Sequence, residues 1–274
     1  MKRIWNFLKT INIIKTISFN VRVFPIKEAL KLPVWLYGRT KIIHIHKRCV
    51  VFNCPIKPGL LRVGGGGINS YLIPYHNCEK NYLNILGRIE VGGLTMIGGG
   101  ALIAVGDGAV VKFGEGCFMN NRTKLFCENC IEFEDYVRFS WECQIFDSNF
   151  HYTSHDGVIK PKLGEIHLGK RTWVGNRVTV QKNTHLPPYS IVASNSVINK
   201  DYSANEEGGM YAGTPAKLLS TKNKRIIGED KELLIDLLFS DGKEEVYEEE
   251  IEEKNFLKDS QASIRSIWGR KEMF

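Results

Sequence analysis

The sequence predicts a mainly β chain whose centre is a parallel β-helix, and three observations carry that expectation. Aliphatic and aromatic residues recur every six positions: Leu168, Val174, Val180, Leu186, Val192 and Ile198 form an unbroken run. The same step links Phe133, Phe139 and Ile145, then Phe113, Met119 and Leu125, then Val91, Ile97 and Ile103. Glycine is concentrated as well, with 15 of the 26 glycines between Gly59 and Gly116, a density that an ordinary helix does not tolerate. Strings such as VGGLTMIGGG and VGDGAVVKFGEG alternate short β-branched runs with turn residues.

A period of six is neither the helical period nor the two-residue alternation of long strands. Each unit is too short to pair within itself. Three units, however, make one triangular coil whose strands pair with the coils above and below, about 4.8 Å away. The apolar residue then points into the prism and small or turn residues form the corners. GGGG at 64–67 and GGG at 98–100 are read as such corners, since neither opens a periodic helix after one strand.

The chain has 274 residues, 43% hydrophobic and 24% charged, values that exclude global disorder and a collagen-like or all-membrane protein. No apolar run reaches the length of a membrane span and no secretory leader pattern is seen, so a cytoplasmic location is expected, with the inner face of the membrane as a variant of it. Seven cysteines at irregular spacing are not a disulfide framework. The net charge of +7 is uneven: residues 1–50 hold 11 Lys+Arg and one acid, whereas residues 225–274 hold 8 basic and 14 acidic residues. A basic arm and an acidic tail around a nearly neutral body argue against a nucleic-acid groove.

Taken in order, residues 1–60 form a basic, partly helical arm. Within it, Ile4, Trp5, Leu8, Ile11 and Ile14 fall near one helical face, suited either to an anionic membrane surface or to covering the open end of the prism. Residues 61–224 are the repeat domain. Its six-step is broken between Ile145 and Leu168, where a loop over 148–166 must be extruded. Residues 225–274 read as an acidic helical extension containing KELLIDLL and EEVYEEEIEEK, with no chemistry assigned.

The interruption carries Asp147, Asn149, His151, His155 and Asp156, titratable and polar groups on the one long excursion from a rigid frame. Two strings, IFDSNFH ending at His151 and LGKRTWVGNRVTVQKNTHLPPYSIVASNSVINKD followed by YAGTPAKLL, resemble the hexapeptide-repeat acyltransferases. The similarity covers about residues 60 to 220 and is closest in character to the O-acetyltransferases of surface-polysaccharide biosynthesis. It implies a left-handed winding, a homotrimer with sites between neighbouring prisms, and acetyl-CoA as acyl donor to a sugar or glycan hydroxyl.

The resemblance also assigns roles. His151 is the general base, an imidazole suited to taking a hydroxyl proton near neutral pH. Asp147 either orients that imidazole or caps the turn. Asn120, in CFMNNRT, matches the family's asparagine beside the acceptor hydroxyl. Gly175, after Trp173 in TWVGN, is where the family brings backbone N–H groups near the thioester. Asn176, Ser194, Asn199 and Lys200 match pantetheine-binding positions, and Lys217 in GTPAKLL lies where a cation meets the nucleotide phosphates. VASNSV stands where galactoside-type members carry a Gly–Ala–Gly–Ser run. His155, His167 and His185 are bystanders.

No metal is expected. The CENC pair at Cys127 and Cys130 lacks a second pair or a nearby histidine to complete a tetrahedral zinc site, and a hydratase-type three-histidine site lacks a ligand between His76 and His151. The alternatives that remain open are N-acetylation of an amino sugar or other small acceptor, and a scaffold without catalysis on the same fold.

Overall fold

The computed structural model describes residues 11–65, 79–226, 229–240 and 242–248. They divide into two units, one ending at Arg225 and the other starting at Ile226. Ile4, Trp5 and Leu8 of the expected N-terminal face, and the chain from 249 onward, lie outside the described residues.

The first unit is a three-sided parallel β-helix, as the hexapeptide pattern predicts. Its first face stacks Val34–Leu36, Leu61–Val63, Thr95–Ile97, Phe118–Met119, Arg138–Phe139, Trp173–Val174, Ile191–Val192 and Met210–Gly213, and its second face runs from Arg39–His44 to Val197–Ile198. The third runs from Val50–Phe52 to Thr184–Leu186. All neighbours in these three stacks pair in parallel. The in-register column Val63, Ile97, Met119, Phe139, Val174, Val192 and Tyr211 points inward and is buried throughout. All fifteen of the repeat residues singled out in the sequence are buried. The slip in register has a physical source: Met119 to Phe139 takes 20 residues and Val174 to Val192 takes 18, because the earlier coil is two residues longer at the second corner, where Cys127 adds an inward residue, whereas the position of Ile131 continues through Ile166 to Thr184.

The corners explain the glycine gradient. Gly100, Gly108 and Gly116 turn corners at positive φ eight residues apart, whereas in later coils Arg171, Arg177, Asn183, Tyr189 and Asn195 adopt φ of 55–62° at a six-residue step. Left-handed backbone costs a non-glycine residue about 1–2 kcal/mol, and the residue that follows offsets part of that cost. Thr172, Thr184 and Ser190 are buried and donate their hydroxyls to the carbonyls of Gly169, Gln181 and Pro187, three residues back.

The prism begins earlier than the expected boundary at residue 61. Val34–Leu36 already pairs with Leu61–Val63, and Arg39–His44 with Lys80–Ile85, so half of the predicted arm is the first coil. Ahead of it, helix α1 (Ile13–Val23) lies against the otherwise open strand edge. Of the two roles open for the face that includes Ile14, covering the prism end is not the one it takes: Ile14 is 82% exposed, while Thr16, Phe19, Asn20 and Val23 are buried. An edge strand needs hydrogen-bond partners more than apolar cover. The Asn20 side chain supplies them, accepting from the Val34 N–H at 3.1 Å and donating to its carbonyl at 2.7 Å, while Thr16 accepts from the Leu36 N–H at 3.0 Å. At the other end Met210–Gly213 turns back into an antiparallel strand, Ala216–Ser220, and Tyr202 and Tyr211 fill the last coil with ring centroids 4.8 Å apart.

In the second unit a helix spans Glu229–Ser240, where KELLIDLL predicts one, and buries Leu234 and Leu238 against Ile235 and Val246.

Candidate functional site

The excursion starts at the end of the second face. After Gln144–Phe146 the chain leaves the prism and returns at Glu165–Leu168. Its neck is held by backbone bonds between Asn149 N–H and Lys162 carbonyl, 2.9 Å, and between Gly164 N–H and Asp147 carbonyl, 2.8 Å. Its tip is a two-residue hairpin in which Ser154–His155 pairs with Val158–Ile159. Asp156 and Gly157 both take positive φ there, as the tight mirror-image turns of hairpins require. That Asp-Gly dipeptide is a sequence signal for the hairpin that the six-step alone does not reveal.

His151 sits just beyond the neck. Phe150 adopts φ 61° and the His151 N–H donates to the Asn149 carbonyl at 2.6 Å, closing a tight three-residue turn. The Phe150 ring packs near Phe126 and Phe146, and its N–H donates to the Ser148 hydroxyl, which donates in turn to Glu128. Backbone strain of this kind persists only where surrounding contacts impose it. The His151 side chain is exposed and its ring has no hydrogen-bond partner among the described residues. The other histidines of the repeat region differ: His155, His167 and His185 face Asp156, Glu134 and Asp201 at 3.5, 3.2 and 3.7 Å.

Asp147 does not face the imidazole. It is fully buried, and its carboxylate accepts from the Glu128 N–H at 2.7 Å, the Asn129 N–H at 2.8 Å and the Cys127 thiol at 3.3 Å. Of the two roles open in the sequence, its contacts are those of a corner cap. Burial first, and then the Asp147 carboxylate, push the Cys127 thiol well above its ordinary range. Cys127 and Cys130 thus stand at a coil corner, and no group of metal-ligating side chains occurs among the described residues.

Strand register places the other expected residues on separate edges. Asn120 and Gly175 follow the paired residues Met119 and Val174, at the corner between first and second faces, and Asn176 and Ser194 lie one position on in their coils. Asn120 accepts from the Asn121 N–H at 2.7 Å. The Ser194 hydroxyl donates to the Asn176 side-chain Oδ1. Gly175 does not present a free amide, because its N–H donates to the Val192 carbonyl at 2.8 Å. Its smallness serves close packing: a Cβ would stand 2.8 Å from both Ser194 N and the Val192 carbonyl oxygen.

Trp173 projects from the first face, with its indole N–H on the Ser140 hydroxyl at 3.2 Å and the Arg225 guanidinium 4.9 Å from its ring centre. Arg138 pairs beside Trp173, and its Nε is buried without a partner among the described residues. Asn199 and Lys200 are exposed after the last second-face strand, and Lys217 is exposed on the terminal hairpin. The second face therefore separates the root of the His151 loop from the edge that carries Asn120, Asn176 and Ser194. Sequence spacing did not single out the locking groups Ser148, Glu128 and Phe150, since none of them falls on the six-step.

No family model matches the chain, and no curated protein matches it. Similar solved structures exist. A hexapeptide-repeat acetyltransferase of Vibrio cholerae complexed with acetyl coenzyme A is 21% identical, with 40% of this chain and 60% of that one covered, at a TM-score of 0.35. This chain thus spans less than two thirds of that protein. A variant of AntD, an N-acyltransferase from Bacillus cereus, in complex with dTDP and coenzyme A is 15% identical over 76% of this chain and 88% of its own, TM-score 0.41. The polySia-specific acetyltransferase NeuO is 17% identical over 74% and 76%, TM-score 0.34. By its own strand pairing the chain is a hexapeptide-repeat parallel β-helix, and these three similar solved structures are acetyl- and acyltransferases.

Proposed function

We propose that the protein is an acyl-CoA-dependent acyltransferase that moves an acetyl group from acetyl-CoA to a hydroxyl of a sugar or glycan, in the making of a surface polysaccharide. The observation that carries this reading is His151: an exposed, unpartnered imidazole held just past a locked turn on the one long excursion from a rigid prism. In this reading the ring takes the proton of the acceptor hydroxyl as its oxygen attacks the thioester carbon. The collapse of the tetrahedral intermediate releases coenzyme A thiol, so no covalent enzyme intermediate forms.

The donor would lie along the outside of the prism, over positions matching Trp173, Gly175, Asn176 and Ser194, with Asn199, Lys200 and Lys217 toward its phosphates. Because the His151 loop and the Asn120 edge stand on different corners of one prism, the site is completed by another copy of the chain, as in a homotrimer. Carbonyl stabilisation then falls to groups other than the Gly175 amide.

Thiol release from acetyl-CoA over a panel of sugars and amino sugars tests the reading. His151→Ala should lose about 10²–10⁴ in rate; a variant at wild-type rate refutes the mechanism. Acceptance of amino sugars alone would replace the hydroxyl acceptor by an amine.

A further inference from the structure

Helix α1 is turned the opposite way to an ordinary surface helix. At about 100° per residue, Ile13, Ile17, Val21 and Ile14 fall within an arc of about 100°. The centre of that arc lies about 120° around the helix from that of Thr16, Phe19, Asn20 and Val23, the face bound to the prism. Ile14 is 82% exposed and Ile13 60%, with Ile17 and Val21 about half exposed. The four-residue helix that follows, Ile26–Ala29, leaves Ile26 exposed, and Leu30 after it is exposed as well. Covering the prism end does not account for this face, because that role is already filled by the separate face of Thr16, Phe19, Asn20 and Val23.

Beside the helix lies an open basin of about 570 Å³ bordered by Lys15, Arg39, Lys41 and Lys80, with no acidic residue among the described residues of its wall. Lys15, on the flank of α1 between stripe and basin, donates to the Thr40 carbonyl and keeps its charge at the rim. Residues 1–50 contain a single acid, Glu28, against 11 Lys+Arg. An apolar stripe flanked by cations with almost no anions is complementary to one kind of surface, a bilayer with anionic headgroups.

We propose that the N-terminal end of the prism lies on an anionic lipid surface. The Ile14 stripe enters the headgroup region and the Lys15, Arg39, Lys41 and Lys80 basin receives lipid phosphates. The prism axis then meets the membrane at its capped end. This inference does not depend on acyl transfer.

Full-length protein is sedimented with vesicles of phosphatidylcholine mixed with phosphatidylglycerol, and with phosphatidylcholine alone. The protein should pellet with the first and not the second, and salt should release it. Arg39→Gln and Lys41→Gln should each weaken partitioning about fivefold, and Ile14→Asp with Ile17→Asp should abolish it. All these positions face solvent, so unfolding temperatures should match wild type. The proposal is overturned if the protein stays in solution with anionic vesicles, pellets equally with neutral ones, or pellets unchanged in the isoleucine variant. It is equally overturned if inorganic phosphate raises the unfolding temperature while vesicles do not bind, which makes the basin a free-anion site. A fall in molar mass of Ile14→Asp by light scattering, without a change in vesicle binding, would assign the stripe to contacts between copies instead.

Discussion

Replacing Asp147 separates its two candidate roles. Its carboxylate is fully buried and holds two backbone donors, Glu128 N–H at 2.7 Å and Asn129 N–H at 2.8 Å. A hydrogen bond to a charged group contributes about 1.5–3 kcal/mol, so the pair is worth about 3–6 kcal/mol when fully desolvated. Both donors are only partly buried and take up water once the carboxylate is gone, which sets the expected loss in Asp147→Ala near about 3 kcal/mol. For a domain of this size each kcal/mol lowers the melting temperature by about 2–4 °C, hence roughly 6–12 °C here. Differential scanning fluorimetry reads this directly. A melting temperature within about 2 °C of wild type would refute the corner-cap assignment. Asp147→Asn keeps the shape and one acceptor oxygen; if it lowered kcat while leaving the melting temperature unchanged, the carboxylate would be acting through His151 after all.

Gly175→Ala should cost about 1–3 kcal/mol, as overpacking does, because its Cβ would stand 2.8 Å from backbone atoms of the next coil; an unchanged urea midpoint would contradict the packing. Asn20→Leu should strip the Val34 N–H and carbonyl of their partners and expose a strand edge, seen as concentration-dependent light scattering that wild type lacks. Burial pushes the Cys117 thiol up to about 12 and the Cys143 thiol up to about 11 from an ordinary value of 9.0. The folded chain therefore keeps protons that the unfolded chain releases, so stability is full below about pH 9 and falls as pH rises through the folded values, with the urea midpoint lower at about pH 10 than at about pH 8. At neutral pH a thiol reagent should reach the partly exposed Cys54 and Cys130 well before the buried Cys49, Cys117, Cys127 and Cys143.

The prism was legible because its repeat is written locally. The later coils obey one rule, so Leu168 to Ile198 at a step of six states which residues point inward before any long-range contact is known. The excursion was legible as the place where the rule fails. The first coil was not, since Val34–Leu36, Arg39–His44 and Val50–Phe52 stand apart from the six-step and show themselves as strands only through their partners in the second coil. The corner residues Arg171, Arg177 and Tyr189 carry no side-chain mark of positive φ, and their conformation follows from the turn that the coils above and below impose.

For the site, sequence motifs supplied the residue types and the order of His151, Asn120 and Asn176 along the chain. Which way each side chain points was decided in three dimensions. Asp147 lies four residues before His151 yet faces the corner of the previous coil, because two backbone N–H groups there need an acceptor and the coil stacking brings them within reach. The Gly175 amide is taken by the next coil's ladder for the same reason. The helix α1 periodicity by itself marks an apolar face; only the polar requirements of the edge strand Val34–Leu36 turn that face away from the core and toward solvent. The sequence by itself thus determined the solenoid, its interruption and the chemistry available on it, all properties of local period and composition. The direction in which Asp147, Gly175 and Ile14 act was decided by the tertiary structure, because hydrogen-bond demand at a corner or an edge arises only after the coils have stacked.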